Sequence, residues 1–248
     1  MKKTTGALRW KGVLDLLTNT SRRLEVLERR TRHLVGVEPR AVPDDRGEDA
    51  RADPPVFRIV VVCTGNRFRS PLVEAFIRQQ THGLPVEVSS CGALDLGAVP
   101  AISNAVEGAA RLGVDISGHR SRTLAAADLR GVDLVVGFER THVARAVVDC
   151  GAAREKTFTL LELVELLEAA PAPDGTTPVE RARKAVELAA QYRRPREGKP
   201  LPELSDPINE PERVQRETVR RLHELSIALV SDLFGTDSAA LEQTVARG

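Results

Sequence analysis

The chain has 248 residues, a formal net charge of +1, 42% hydrophobic residues and 29% charged residues, as an ordinary globular protein does. The near-neutral charge gives no global field that points to nucleic acid, and the 3% content of aromatic residues leaves few rings to stack on bases, so we expect no nucleic-acid partner. Cys63, Cys91 and Cys150 are too few for a disulfide framework, so we expect reduced thiols. No apolar run reaches the ~18 residues of a membrane-spanning helix. We therefore expect a cytoplasmic protein without a transmembrane segment.

The first zone, residues 1–38, is basic and has the pattern of an amphipathic helix. The residues of its expected packing face are spaced alternately three and four positions apart: Trp10, Val13, Leu17, Thr20, Leu24, Leu27, Thr31 and Leu34. Such a helix is suited to docking on a protein partner, on a second copy or on an anionic membrane surface. A helix packed on the domain that follows it in the same chain explains the same pattern. An acidic linker with several prolines, residues 39–55, follows.

The third zone, residues 56–235, alternates strands with helices, and a loose tail is expected over 236–248. The patterns predict strands over 57–62, 86–89, 132–136 and 156–159. They predict helices over 70–80, 98–112, 160–168, 178–192 and 210–234, and one that starts near Glu139. This alternation predicts an α/β fold: a doubly wound, four-stranded parallel sheet with helices on both faces.

The most informative segment joins the first predicted strand to the first predicted helix: residues 60–71, VVVCTGNRFRSP. Backbone N–H groups in a tight loop at a helix N-terminus converge on one point, and the helix dipole adds positive charge there. Pro71 suits the first helical turn, where its missing N–H costs nothing. The segment therefore predicts an anion site.

Two side chains indicate what this anion site does. Cys63 lies at the strand end beneath the N–H groups, and Arg69 can hold two phosphate oxygens at once. Positive surroundings favour a thiolate, which would then be placed for in-line attack on phosphorus. A cysteine after an apolar strand is more often a small core residue. The full string, with Gly65, Asn66 and Ser70 at a strand-to-helix junction, favours the phosphate site.

This loop resembles the phosphate-binding loop of low-molecular-weight protein tyrosine phosphatases, a family with a flavodoxin-like sheet. The resemblance covers about residues 57–234 and excludes the N-terminal zone. Further similar segments are SSCG at 89–92, GVDISGHRSR at 113–122, DLVV at 133–136 followed by Glu139, and SDP at 205–207. The resemblance implies a phosphatase that acts on a phosphorylated protein, phosphotyrosine above all, or on a small phosphomonoester. It implies no metal and no organic cofactor.

The resemblance also implies roles for single residues. Cys63 would be the nucleophile that forms a phosphocysteine, and Arg69 would bind the phosphate and stabilise the transition state. Asp206 would be the general acid for the leaving group and then the base for water. Glu203 and Glu210 are nearby competitors for that role.

The remaining roles concern the shape of the loop. Ser70 would donate a hydrogen bond to the Cys63 thiolate, and Asn66 would hold a strained backbone conformation that asparagine tolerates. Ser90 and His119 would brace the loop from outside it. The complete phosphate-binding set is Thr64, Gly65, Asn66, Arg67, Phe68, Arg69 and Ser70.

Some positions depart from the family pattern. Phe68 stands where the family usually has a second cysteine that protects the nucleophile, and Cys91 is either its substitute or a small core residue. The resemblance places Arg67 where the substrate enters, and there it would favour an acidic flank and oppose phosphoarginine through like-charge repulsion. The aromatic walls usual in the family are replaced by Leu94, Asp95, Ile208 and Asn209, which leaves Phe68 or Phe138 to supply a ring.

Two other functions fit the same residues. The altered walls and Arg67 are compatible with a catalytically weak module that binds phosphoproteins. An arsenate reductase shares the loop and the fold, but its chemistry needs two further cysteines close together. Cys91 and Cys150 lie far apart in the sequence, which disfavours that chemistry.

Overall fold

The computed structural model describes residues 55–193 and 201–235. The predicted N-terminal helix, nearly all of the predicted linker and the predicted tail lie outside the described residues. None of the described helices combines the length and the apolarity that crossing a membrane requires.

Four parallel strands form one sheet in the order β2-β1-β3-β4. They are β1 (Phe57–Cys63), β2 (Val86–Gly92), β3 (Leu134–Gly137) and β4 (Thr157–Thr159). The chain winds outward from β1 in both directions, so the carboxyl end of β1 is the switch point where doubly wound folds bind ligands. The predicted fold class, a flavodoxin-like doubly wound sheet, is confirmed.

Within residues 55–193 and 201–235, six α-helices connect and cover the strands. They are α1 (Arg69–Gln80), α2 (Ser103–Ala110), α3 (Arg140–Ala144), α4 (Leu160–Ala169), α5 (Pro178–Tyr192) and α6 (Glu212–Phe234). A π-helical turn, Arg145–Asp149, extends α3, and short 3-10 turns cover Leu124–Ala126 and Arg154–Lys156.

Strand β1 separates two apolar layers, because its side chains alternate between the faces of the sheet. Ile59 and Val61 face the larger layer, which α1, α2, α4, α5 and α6 complete. Val60 and Val62 face a smaller layer that includes Cys91 and residues of the turns over 124–152. Burial on both faces explains why β1 is a continuous apolar run.

Helix α2 begins at Ser103, so the predicted start at residue 98 is wrong. Pro100 forms an antiparallel bridge with Arg120, and the Ile102 N–H donates to the Arg67 carbonyl oxygen at 3.1 Å. These contacts hold the segment before Ser103 extended against its neighbours. Proline also disfavours helix at the residue before it.

The other boundaries shift for similar local reasons. Helix α6 begins two residues after the predicted position because Pro211 is its N-cap. Strand β3 begins at Leu134 because the Val132 N–H is bonded in a turn to Leu129. Strand β2 continues to Gly92, which pairs with Cys63 at the end of β1. That pairing brings the end of β2 beside the loop over residues 63–70.

Candidate active site

The loop over residues 63–70 joins β1 to α1 at the switch point. Asn66 is the one described non-glycine residue with a positive φ, 53°, which turns the backbone sharply. Gly65 leaves room for a neighbour, since a methyl group added there would lie 2.9 Å from Leu96 Cδ1. The backbone N–H groups of Gly65, Arg67 and Phe68 donate to no acceptor within residues 55–193 and 201–235. Unpaired donors at the start of a helix suit an anion.

Asn66 holds the loop in this shape through four hydrogen bonds. Its Nδ2 donates to Ser70 Oγ at 2.9 Å and to Ser90 Oγ at 2.8 Å. Its Oδ1 accepts from the Arg122 N–H at 2.9 Å, and its carbonyl oxygen lies 2.7 Å from His119 Nε2. Asn66 and Ser90 are both buried, so these bonds fix a conformation that the backbone alone disfavours.

Glu74 on α1 extends this bracing beyond the loop. The Ser90 hydroxyl donates to the Glu74 carboxylate, which also pairs with Arg78. Glu74 is buried in spite of its charge, and these partners satisfy it. The loop, the end of β2 and the first turns of α1 are therefore joined by one polar network.

The Cys63 sulfur accepts two hydrogen bonds inside the loop. The Asn66 N–H lies 3.2 Å and Ser70 Oγ 3.0 Å from Sγ. Because Ser70 Oγ accepts from the Asn66 amide, its own proton is free to be donated to the sulfur. Donors on two sides favour a sulfur that carries negative charge.

Arg69 is fully buried, with 0% of its side chain exposed, and two carboxylates hold its guanidinium. Nη1 donates to Glu139 Oε1 at 2.5 Å and to the Leu204 carbonyl oxygen at 2.7 Å. Nη2 donates to Asp206 Oδ2 at 2.6 Å and to Thr64 Oγ1 at 3.1 Å. Nε has no partner although it is buried. Arg69 is therefore a fixed group beneath the loop that retains one unpaired N–H.

Asp206, rather than Glu203, is the carboxylate of the segment before α6 that contacts Arg69. Its Oδ1 accepts from the Ile208 N–H at 3.2 Å in a turn, and its Oδ2 contacts Arg69. Glu203 is bonded instead to the backbone N–H and Nε of Arg140. The Arg140 N–H, above all, lowers the pKa of Glu203. Of the two carboxylates, Asp206 is thus the one placed beside the loop.

His142 on α3 is a buried neutral histidine behind the loop. Burial, with the Arg69 guanidinium as a second cause, lowers the pKa of His142 to about 4. Nδ1 accepts from the N–H groups of Phe138 and Glu139, so the ring proton is on Nε2. That Nε2 lies 3.1 Å from Thr64 Oγ1 and donates to it. His142 and Arg69 together fix the Thr64 hydroxyl.

The three cysteines lie in different environments. Val62 is paired with Cys91 and Cys63 with Gly92, so the side chains of Cys63 and Cys91 point to opposite faces of the sheet. Burial, with the electrostatic effect of Cys63 as a second cause, raises the pKa of Cys91 to about 12. Cys150 packs against the Cys91 layer. This arrangement disfavours a disulfide between Cys63 and Cys91 and a cysteine relay that ends at Cys63.

Leucines, not rings, are exposed beside the loop. Leu94 and Leu96 are 44% and 43% exposed, and the Leu94 N–H donates to the Thr64 carbonyl oxygen at 2.8 Å. Phe68 and Phe138 are both buried in the core, so the expectation that either could offer a ring to a substrate is wrong. An apolar wall is therefore present, but it is aliphatic.

Sequence reasoning missed four residues of this site: Glu74, Glu139, His142 and Leu96. Glu139 and His142 follow β3, and the carboxyl ends of parallel strands meet at one edge of the sheet, which could have indicated them. Glu74 lies four residues after Ser70 on α1, hence on the same helix face. No comparable signal indicated Leu96, whose place over Gly65 depends on the path of the segment after β2.

The fold and the loop define an α/β protein with a thiol and a guanidinium at an amide-lined anion site. Residues 58–175 match the family model of the low molecular weight phosphotyrosine protein phosphatases. The chain is 37% identical over 110 residues to the low molecular weight protein-tyrosine-phosphatase Etp of Escherichia coli K12, covering 44% of this chain and 73% of that protein. It is 33% identical over 108 residues to a protein-arginine-phosphatase of Bacillus subtilis, covering 43% of this chain and 71% of that protein.

Solved structures show the same relationship. The crystal structure of a low molecular weight protein tyrosine phosphatase from T. tengcongensis superposes with a TM-score of 0.52 at 28% identity, covering 71% of this chain and 98% of that one. The chain therefore belongs to the low molecular weight protein-tyrosine-phosphatase family and is a phosphatase, a hydrolase.

Proposed function

We propose that the protein hydrolyses phosphotyrosine in proteins through a phosphocysteine intermediate on Cys63. The single observation that supports this most strongly is the Cys63 sulfur, which accepts two hydrogen bonds within a loop whose Gly65, Arg67 and Phe68 N–H groups donate to no described acceptor. A phosphate dianion on those N–H groups would lie directly above the sulfur. The reacting atoms would then be held close together, which lowers the barrier to in-line attack.

Arg69 would bind the same phosphate through Nε and Nη2. Nε has no other partner, and Nη2 is the nitrogen that now contacts Asp206 and Thr64. A guanidinium can hold two phosphate oxygens with parallel hydrogen bonds. Glu139 and the Leu204 carbonyl oxygen hold the opposite edge of the guanidinium, so binding would require little rearrangement. A preorganised donor of this kind stabilises the charge that develops on the transferring phosphoryl group.

Asp206 would act as the general acid and then as the general base. A bound phosphate dianion beside Asp206 disfavours its negative form, because like charges in contact repel. The substrate itself would thus promote protonation of Asp206, which then gives that proton to the departing phenolic oxygen. In the second step Asp206 takes a proton from the water that attacks phosphorus, and the P–S bond breaks. The Ser70 hydroxyl would stabilise the departing Cys63 thiolate.

The relatives include a protein-tyrosine-phosphatase and a protein-arginine-phosphatase, so phosphotyrosine and phosphoarginine have to be distinguished as substrates. Arg67 lies in the loop itself, with Nε bonded to the Pro100 carbonyl oxygen at 3.0 Å. Its positive charge would repel the guanidinium group of phosphoarginine. Leu94 and Leu96 would offer apolar contact to a phenyl ring in place of aromatic walls. Both observations favour phosphotyrosine.

The test is hydrolysis of para-nitrophenyl phosphate and of matched phosphotyrosine, phosphoserine and phosphoarginine peptides. We expect Cys63→Ser to lower kcat by more than about 10³-fold, because the nucleophile is lost. Cys91→Ser is the matched control and should retain the activity, since Cys91 lies on the other face of the sheet. Phosphotyrosine should be hydrolysed fastest. Equal activity of the wild type and Cys63→Ser would overturn the proposal.

The same assay separates catalysis from binding alone. A module that only binds phosphoproteins would bind inorganic phosphate in competition with a phosphotyrosine peptide but would release no phosphate from it. Turnover by the wild type above the Cys63→Ser background excludes that alternative. A catalytic thiol on Cys63 would require reducing conditions, which is consistent with our inference of a cytoplasmic protein.

A further inference from the structure

Three arginines surround the mouth of the loop, and each is held by a backbone carbonyl group rather than by a carboxylate. Arg67 Nε donates to the Pro100 carbonyl oxygen at 3.0 Å, and Arg145 Nη1 donates to the Ala93 carbonyl oxygen at 2.8 Å. Arg120 Nη1 donates to the carbonyl oxygen of His119 at 2.8 Å. We call Arg67, Arg120 and Arg145 the arginine rim.

Arg145 is placed at the mouth by the segment after β2. It bonds Ala93, whose N–H donates to the Cys63 carbonyl oxygen at 2.8 Å. The next residue, Leu94, donates to the Thr64 carbonyl oxygen. Arg145 is therefore separated from the first loop residues by a single backbone segment.

Arg120 is placed on the other side of the mouth. Its neighbour His119 contacts the Asn66 carbonyl oxygen, and Arg120 itself forms the backbone bridge with Pro100, the residue that holds Arg67. The rim thus follows the segment over residues 93–102, with Arg67 and Arg120 near one end and Arg145 near the other.

The charge of the rim is not neutralised within the part of the chain that the structure describes. No carboxylate in residues 55–193 or 201–235 lies within ion-pairing distance of the three guanidinium groups. Arg69 and Arg140, in contrast, are paired with Glu139, Asp206 and Glu203. Asp95 is the only acidic residue in the segment over 93–102, and it accepts a hydrogen bond from the Gly97 N–H. Carbonyl partners hold these arginines in place but leave their positive charge available.

We infer that this phosphatase selects phosphotyrosine flanked by acidic residues, an inference that rests on the proposed function. Carboxylates on either side of the phosphotyrosine would meet the rim at both ends of the segment over 93–102. The exposed Leu94 and Leu96 on that segment would contact the apolar part of the substrate between them. Complementary charge of this kind gives selectivity and faster association rather than tight binding.

The test compares three peptides of equal length that each carry one phosphotyrosine, flanked by glutamate, by glutamine or by lysine. Each exposed charge pair contributes a factor of about two to five, so kcat/KM should favour the glutamate peptide over the glutamine peptide by roughly tenfold at low salt. That ratio should fall towards about two at ~0.5 M salt, where exposed charges are screened. The lysine peptide should be the slowest.

A double variant, Arg120→Gln with Arg145→Gln, should lower the glutamate-to-glutamine ratio to about two. Arg111→Gln with Arg130→Gln is the matched control, because it removes the same net charge from two exposed arginines paired with Glu107 and Asp128. The control should leave the ratio unchanged. Because each ratio compares two peptides on one protein, a partial loss of folded protein does not alter it.

Equal rates on the glutamate and glutamine peptides at low salt would overturn the inference. A preference for the glutamate peptide that persists in the Arg120→Gln, Arg145→Gln double variant would also overturn it, since other groups would then bind the acidic residues. Wild-type protein that hydrolyses neither para-nitrophenyl phosphate nor the glutamine peptide would instead overturn the proposed function. The two failures are thus distinguishable.

Discussion

Arginine occupies two contrasting environments within one site. Arg69, at the bottom of the loop, is fully buried and is held by Glu139, Asp206, Thr64 and a carbonyl oxygen. The arginine rim is accessible, and each of its members is held through one backbone carbonyl group. The same side chain is neutralised where it is buried in a fixed geometry and left unneutralised at the exposed rim.

The difference indicates which interactions depend on shape and which depend on charge alone. A buried guanidinium needs partners that compensate for its desolvation, so its planar geometry and its partners define each other. An exposed guanidinium interacts with its surroundings through a screened field, and its exact geometry matters little. We therefore expect the buried Arg69 and the exposed arginine rim to respond differently to the same conservative substitution.

Replacement of arginine by lysine in the loop and in the rim should give the largest contrast in kcat/KM. Arg69→Lys should lower kcat/KM for para-nitrophenyl phosphate by about 10²–10³-fold, because a lysine cannot make the paired hydrogen bonds of a guanidinium. Arg145→Lys, which keeps its charge, should change kcat/KM for the glutamate-flanked peptide by less than about threefold. Steady-state kinetics of the two variants checks this. Similar losses at both positions would contradict the distinction between shape and charge.

Asn66 tests how much the buried part of the site contributes to stability. Asn66→Ala removes three side-chain hydrogen bonds and places a non-glycine residue without compensation at a φ of 53°. We expect the free energy of unfolding to fall by about 2–4 kcal/mol. Asn66→Gly should recover about 1 kcal/mol of that loss, because glycine adopts this backbone conformation freely. Urea denaturation measures both values, and equal losses would exclude backbone strain at this position.

His142 should make stability depend on pH. Its pKa is about 4 in the folded protein and near 6.5 when unfolded, so the unfolded state binds the proton more readily. Above pH 6.5 both states are neutral and His142 has no effect on this dependence. Between about pH 6.5 and about pH 4 the free energy of unfolding should fall by up to roughly 3 kcal/mol more in the wild type than in His142→Gln. Below that range the difference should stay constant.

The exposed His82 supplies the control for this measurement. His82→Gln should keep the steeper pH dependence of the wild type, because His82 is not buried. The measurement is the urea denaturation of the wild type, His142→Gln and His82→Gln at a series of pH values. Parallel curves for the wild type and His142→Gln would show that the histidine does not titrate differently on folding.

Thr64 should show the smallest of these effects. Its hydroxyl receives hydrogen bonds from Arg69 Nη2 and His142 Nε2, so Thr64→Val leaves two buried donors without an acceptor. We expect kcat for para-nitrophenyl phosphate to fall by about tenfold, the value of one hydrogen bond to a charged group. Thr64→Ser, which restores the hydroxyl, should recover most of it. A kcat for Thr64→Val equal to that of the wild type would show that the hydroxyl does not help to position Arg69.

Local sequence was sufficient to predict the sheet and the residues of the site that lie in the loop. The apolar run of β1, the loop string and the glycine at the end of α6 are each encoded within a few residues. Cys63 and Arg69 belong to that string, and Asp206 was suggested by the resemblance. Long elements with a clear apolar period, such as α5, were placed to the residue.

The remaining features depend on contacts between distant segments. Glu139 reaches Arg69 only because β3 pairs with β1, and Leu204 reaches it only because the loop before α6 returns to the switch point. The late start of α2 depends on Arg67 and Arg120, which hold the segment before it. The pattern of apolar residues carries no information about such pairings, which is why the buried partners of Arg69 were not predicted.

Rapid mixing of the protein with para-nitrophenyl phosphate tests the phosphocysteine step most directly. We expect a burst of para-nitrophenol equal to the enzyme concentration, and a peptide containing Cys63 that carries one added phosphoryl group after acid quenching. Asp206→Asn should prolong the lifetime of that species, because the base that activates water is lost. A protein that turns over the substrate but shows the phosphoryl group on another residue, or on none, would contradict nucleophilic attack by Cys63.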